Sequence, residues 1–100
     1  MLAVSRFRVN DEDGFRVRAQ AAVDFMAGCD DNLSAELLQN LDEPDLWCIV
    51  SNWRNVGAYR RSFNGITAKL VLVPLLSEAI DEPSAYASPD QVGENVPRSR

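Results

Sequence analysis

Leu46 to Phe63 reads LWCIVSNWRNVGAYRRSF, and the change of period inside this stretch decides the fold. From Leu46 to Trp53 the residues are rich in β-branched and aromatic types, the composition of a strand, whereas Val56, Tyr59 and Phe63 recur at helical spacing. Asn55, between the two patterns, is a residue type that caps helix N-termini. A strand therefore ends at Trp53 and a helix starts directly after it. A bulky aromatic at such a junction stands where a sheet face meets a helix end, a common place for a pocket wall.

Working outward, Met1 to Val9 alternates as a first strand, with Ala3, Ser5, Phe7 and Val9 on one face and Leu2, Val4, Arg6 and Arg8 on the other. Asn10 to Asp13 supply a cap and a negative first turn, and Phe15, Ala19, Ala22 and Met26 draw a helical stripe that Gly28 ends. Leu33 to Leu41 reads as a strand with Leu33, Ala35, Leu37 and Leu41 together. The turn residues Asp42-Glu43-Pro44-Asp45 then lead into Leu46. The helix capped by Asn55 runs to about Asn64. Beyond it Leu70-Val71-Leu72-Val73 looks like a buried strand alone, but Pro74 followed by Leu75, Leu76, Ala79 and Ile80 favours a short helix, with Thr67 to Val73 a further turn or two. Asp81-Glu82-Pro83 breaks the pattern, and Ser84 to Ser88 is a last short strand. Residues 1–88 thus form one domain, and the polar, proline-bearing residues 89–100 are expected to be a disordered C-terminal tail.

The sum is an α+β fold, a ferredoxin-like βαββαβ antiparallel sheet with its helices on one face. Two helices cover only one face, yet both faces of the strands carry apolar residues such as Leu2, Val4, Cys48, Ile49, Val50 and Leu38, so an apolar face stays uncovered. Such a face is normally buried against another chain, so a homodimer with sheet packed on sheet is expected.

Composition closes several function classes. The 100 residues carry a formal net charge of −5, with 10 Lys and Arg against 15 Asp and Glu, and no clustered cations of the kind nucleic acid or an anionic membrane requires. With no His, neither a Ser-His-Asp nor a Cys-His system can exist, and a haem cannot be held by a proximal His. Cys29 and Cys48 form no CxxC pair, which removes zinc-ribbon and thioredoxin-type sites and suits reduced thiols in the cytoplasm. The carboxylates have no EF-hand spacing and read as caps and loops. Arg6 and Arg8 interrupt any signal-peptide core, and the longest apolar run, Leu70 to Leu76, is far below the ~20 residues of a membrane span.

Several side chains are open to two readings. Trp53 lines a pocket or fills core, and Tyr59, whose hydroxyl needs a partner when buried, is the better candidate for touching a ligand. Trp47 belongs to the core or an interface. Arg60 and Arg61 form a solvated face. Arg6, among apolar neighbours, pairs with Glu36 across strands or reaches into a cavity, the pair being favoured. Cys29, beside Asp30 and Asp31, is no nucleophile.

The segments LAVSRFRV at 2–9, LDEPDLWCIVSNW at 41–53, VGAYRRSF at 56–63 and PLLSEAIDEPSAY at 74–86 make residues 1–88 similar to the antibiotic biosynthesis monooxygenase family of dimeric α+β barrels. The PLL and DEPSAY pieces resemble an actinobacterial branch of it. The resemblance implies a barrel of two sheets, one per chain, and a pocket between helices and sheet in each protomer. It also implies oxygenation of a planar aromatic molecule, of quinol or anthrone type, without any cofactor. Trp53 and Tyr59 resemble the aromatic pair of the oxygenases, and Ser51, Ser5 and Phe63 complete the ligand-binding set. Haem degradation, which in the family asks for an Asn where Ser5 stands and an axial His, is closed. The carboxamide expected on the face of Trp47, Ile49, Ser51 and Trp53 is replaced by Ser51, and a hydroxyl cannot present an amide's fixed donor and acceptor. The alternative is a non-catalytic binding or structural homodimer that keeps the fold.

Overall fold

The computed structural model describes residues 1–95. Strand β1 spans Leu2–Arg8, helix α1 Glu12–Ala27, strands β2 and β3 Asn32–Gln39 and Leu46–Trp53, and helix α2 Val56–Arg61. A π-helical segment, Ala68–Leu72, runs into the short helix α3, Val73–Leu76, and strand β4, Ala85–Tyr86, is followed by helix α4, Pro89–Asn95. The four strands form one antiparallel sheet in the order β2-β3-β1-β4, the ferredoxin-like arrangement.

Local chemistry sets the element ends. The Asp11 carboxylate accepts the Gly14 N–H at 3.2 Å and caps α1, with Glu12 and Asp13 in the positive first turn. A Cβ on residue 14 would lie 2.4 Å from that carboxylate, so glycine leaves room for the cap. Asn55 caps α2 by accepting the Ala58 N–H at 2.8 Å. Pro74 has no N–H to extend the π-helical turns and sits in the first turn of α3. Gly65, at φ +92°, supplies the backbone reversal before the π-helical segment.

The face of β3 carrying Trp47, Ile49, Ser51 and Trp53 is buried, as are Ala3 and Phe7 of β1. Phe15, Ala19, Ala22 and Met26 of α1 pack against them, joined by Leu72 and Leu75. Phe15 links the rings, 5.1 Å from Phe7 and 5.9 Å from Trp47. Trp47 is therefore core. Its buried Nε1 has no partner among the described residues, while the Arg16 guanidinium lies 5.8 Å from its ring. On the opposite face Leu2, Val4, Cys48 and Val50 remain partly exposed, and Leu38 keeps 44% of its surface accessible.

The structure departs from the sequence reading in particular places. The strand expected from Leu33 to Leu41 stops at Gln39, because the Asn40 side chain turns the chain by accepting the Asp42 and Glu43 N–H groups at 2.8 Å each. Leu41 is left 98% exposed, and a register shift between Asn32 and Ser34 leaves Leu33 outside the core as well. The α2 helix ends at Arg61 rather than near Asn64, and the last strand is shorter than expected, covering Ala85–Tyr86. Arg6 does not pair with Glu36: it opposes Cys48, whereas Glu36 opposes Val50 on the far side of β3, and the guanidinium turns instead to Glu82. The disordered tail expected over 89–100 falls in part on residues 96–100, which lie outside the described residues; Pro89–Asn95 forms α4.

Candidate functional site

The outer edge of β1 is only partly covered by β4, which pairs with Leu2 and Ala3. Further along, the Val4 N–H donates to the Ser84 carbonyl at 2.7 Å and the Ile80 N–H donates to the Arg6 carbonyl at 2.8 Å. Between these two anchors the chain bows away from the strand and leaves a cavity of about 440 Å³. Its size falls within the ~300–1,000 Å³ usual for small-molecule sites.

One wall of the cavity is aromatic. Tyr59 of α2 and Phe63 just beyond it meet edge to face, 5.1 Å apart and at 89°. They stand four residues apart, and the turn that continues α2, in which the Phe63 N–H donates to the Arg60 carbonyl at 3.3 Å, keeps both rings on the same side. Ser5, Ser77, Ser84, Asp81 and Glu82 are the polar residues of the lining. The Ser77 hydroxyl already donates to the Pro74 carbonyl at 2.6 Å, which leaves its oxygen free to accept. Burial raises the Tyr59 phenol pKa above its ordinary 10.0, and the Ser84 hydroxyl pulls the other way. Tyr59 is therefore a neutral hydroxyl near neutral pH. Glu82 is engaged by Arg6 through two hydrogen bonds of 2.7 Å, which hold its carboxyl below the ordinary carboxylate range.

The five residues singled out from sequence separate into two groups. Ser5, Tyr59 and Phe63 line the cavity together. Trp53 and Ser51, 1% and 2% exposed, lie behind it, where the Trp53 indole N–H donates to the Ser51 hydroxyl at 2.9 Å. Trp53 reaches the cavity only through Tyr59, against whose ring it packs edge-on at 6.0 Å. Sequence reasoning missed Asp81, Glu82, Ser77 and Ser84. The DEP tripeptide at 81–83 carries a readable turn signal, but nothing in its residue types tells which strand edge the turn lies along.

A second, smaller cavity of about 190 Å³ shares Tyr59 as a wall and is lined by Met1, Val56, Arg60, Tyr86 and Val92 among others. The thiols line neither cavity, and burial raises the pKa of both Cys29 and Cys48. Among the described residues no group of three or more His, Cys, Asp or Glu side chains is placed to hold a metal ion, and no helix is long and apolar enough to cross a membrane.

A family model described as antibiotic biosynthesis monooxygenase matches residues 2–67. Among solved structures the chain is similar to SnoaB, a cofactor-independent oxygenase from Streptomyces nogalater, at 19% identity and TM-score 0.69, covering 79% of this chain and 82% of that one. It is also similar to a conserved protein from Methanosarcina mazei at 19% identity and TM-score 0.68, with 84% of each chain covered. Rv0793 from Mycobacterium tuberculosis matches at 15% identity and TM-score 0.66, covering 84% of this chain and 86% of that one. At these identities the likeness speaks for the fold. No match is found among curated proteins.

Proposed function

The chain belongs to the antibiotic biosynthesis monooxygenase family, and from that premise we propose that it is a cofactor-independent oxygenase, acting as a homodimer on a planar hydroxylated aromatic molecule of quinol or anthrone type. The observation that carries the reading is a cavity whose lining joins the Tyr59–Phe63 ring pair to three serines and the acidic residues Asp81 and Glu82.

Such a reaction draws its electrons from the substrate. Loss of a proton from an anthrone-type ring leaves an electron-rich anion that passes one electron to O₂. Recombination then forms a carbon–oxygen bond. Elimination of water leaves one oxygen atom behind as a carbonyl and removes the other together with the two substrate hydrogens, so no outside reductant enters. The protein has to hold the ring flat, accept the first proton and stabilise the anion. In this reading Tyr59 and Phe63 flank the ring. The hydroxyls of Tyr59 and Ser5 donate to the developing oxyanion, with Ser84 hydrogen-bonded to Tyr59 behind them, and Asp81 takes the proton. The carboxamide absent from the inward face of β3, where Ser51 stands and from which Asn52 is turned away to Ser34, is thereby replaced by groups from β1, α2 and the loop at 80–84.

Support for the dimer comes from the half-exposed face of Leu2, Val4, Cys48 and Val50, which a second copy would cover. The test of the oxygenase is oxygen uptake by the purified protein with a panel of hydroxylated anthrones and quinols. Uptake with a one-to-one yield of the corresponding quinone is expected. A flat oxygen trace across the panel would point to the second reading, a non-catalytic binding or structural homodimer, which is favoured by one observation: Ser51 spends its oxygen on the Trp53 indole inside the core.

A further inference from the structure

The charge of the cavity is one-sided. Two acidic residues, the exposed Asp81 and the half-buried Glu82, belong to its lining, and no lysine or arginine does. They are not equivalent. Glu82 is neutralised from the sheet side by Arg6, whose Nε and guanidinium nitrogen each reach a carboxylate oxygen at 2.7 Å. Asp81 has no ion-pair partner among the described residues. Arg60 lines the second cavity, whose common wall with the first is Tyr59. What remains in the first cavity is one uncompensated negative charge within a chain of formal net charge −5.

A site that takes a carboxylate- or phosphate-bearing ligand presents cations or several convergent N–H donors to it. This cavity presents the reverse. An anionic group brought in would face Asp81 without a countercharge, whereas a phenol hydroxyl can donate directly to that carboxylate and stack beside Tyr59 and Phe63.

We infer that Asp81 sets the ligand class of the cavity, admitting uncharged aromatic rings that carry hydroxyl donors and turning away their carboxylated counterparts. This inference rests on reading the cavity as the substrate site and narrows what that substrate is. The choice is made by a loop outside the segment matched by the family model, which ends at residue 67.

The experiment separates binding from turnover by using quinones that cannot be oxidised further. Binding of a neutral dihydroxyanthraquinone and of its carboxylic acid derivative is measured by calorimetry at pH 7 on the wild-type chain, on Asp81→Asn and on Asp81→Ala. The wild-type chain is expected to bind the neutral quinone at least about tenfold more tightly than the carboxylate, the order of magnitude of one like-charge encounter in a partly solvated site. In both variants the gap should shrink to about threefold or less, with circular dichroism showing the fold retained. Equal binding of the two ligands by the wild type, a gap unchanged in both variants, or binding of neither ligand overturns the inference. Oxygen uptake from the matching neutral anthrone is recorded on the same preparations. Charge discrimination without uptake upholds Asp81 as the filter and overturns only the oxygenase reading.

Discussion

The indole N–H of Trp53 donates to the hydroxyl of Ser51 at 2.9 Å, and both side chains are sealed in the core at 1% and 2% exposure. The two residues stand two positions apart on one strand face, and the Ser51 oxygen satisfies the Trp53 indole N–H. Replacing Ser51 by Ala strands a buried donor. Urea unfolding of Ser51→Ala should show a loss of about 1–3 kcal/mol, the cost of an unpaired buried N–H. Ligand affinity measured on the same variant should stay within about twofold, because Ser51 does not line the cavity.

Asp81 offers the opposite pattern. As an exposed loop carboxylate with no ion pair among the described residues, it contributes little to folding, so Asp81→Asn should unfold at nearly the wild-type denaturant midpoint. If it accepts the substrate proton, kcat for oxygen uptake should fall by about 10²-fold, the lower range for a general base, with a much smaller change in KM for a neutral substrate. Equal kcat in variant and wild type would remove Asp81 from the proton transfer.

Tyr59 carries a pH signature. Burial lifts its phenol pKa in the folded state above the ordinary 10.0, so the folded chain keeps a proton that the unfolded chain releases. The associated stability is fully present below about pH 10 and declines as pH rises toward the folded value. Stability curves of wild type and Tyr59→Phe should therefore run parallel below pH 10, and above it the wild type should lose stability relative to the variant. The other titrating groups, the two thiols included, are common to both chains and cancel in the difference. An ultraviolet difference titration gives the same midpoint directly.

The half-clad sheet face yields a test by mass. Val50 lies on it, opposite Val4 of β1, and both remain partly exposed. Light scattering of the wild type at micromolar concentration should report twice the 11.1 kDa chain mass. Val50→Glu puts a charge where two sheets would meet, and the species should drop to one chain mass while its helical circular dichroism persists. A wild type that runs as a single chain would leave the face without its proposed occupant.

Local chemistry was legible residue by residue. The switch of period at Trp53 placed the end of β3, and Asn55 announced the cap that forms at 2.8 Å. The alternation of β3 correctly grouped Trp47, Ile49, Ser51 and Trp53 on one face. What stayed hidden depends on contacts far apart in sequence. Arg6 and Glu82 are 76 positions apart, and their pairing follows from the Ile80–Arg6 hydrogen bond that lays the loop along β1. For the same reason the aromatic half of the site, four residues apart at the end of α2, could be read early, while most of its polar half, brought in by chain reversal, could not. Ser51 and Trp53 were placed on the right face, but alternation cannot say that the indole N–H of one will be satisfied by the hydroxyl oxygen of the other.

The brevity of β4 has a further implication. Had it continued beside β1 past Ala3, main chain would fill the space that residues 80–84 now skirt. The sheet ends in an unfinished border, and that gap is the receptacle. Because the loop is pinned at both ends by backbone hydrogen bonds, insertions or substitutions between the pins can reshape the receptacle while the strands and the aromatic core stay untouched. Selectivity in a molecule built this way can drift on its own evolutionary clock, separately from folding.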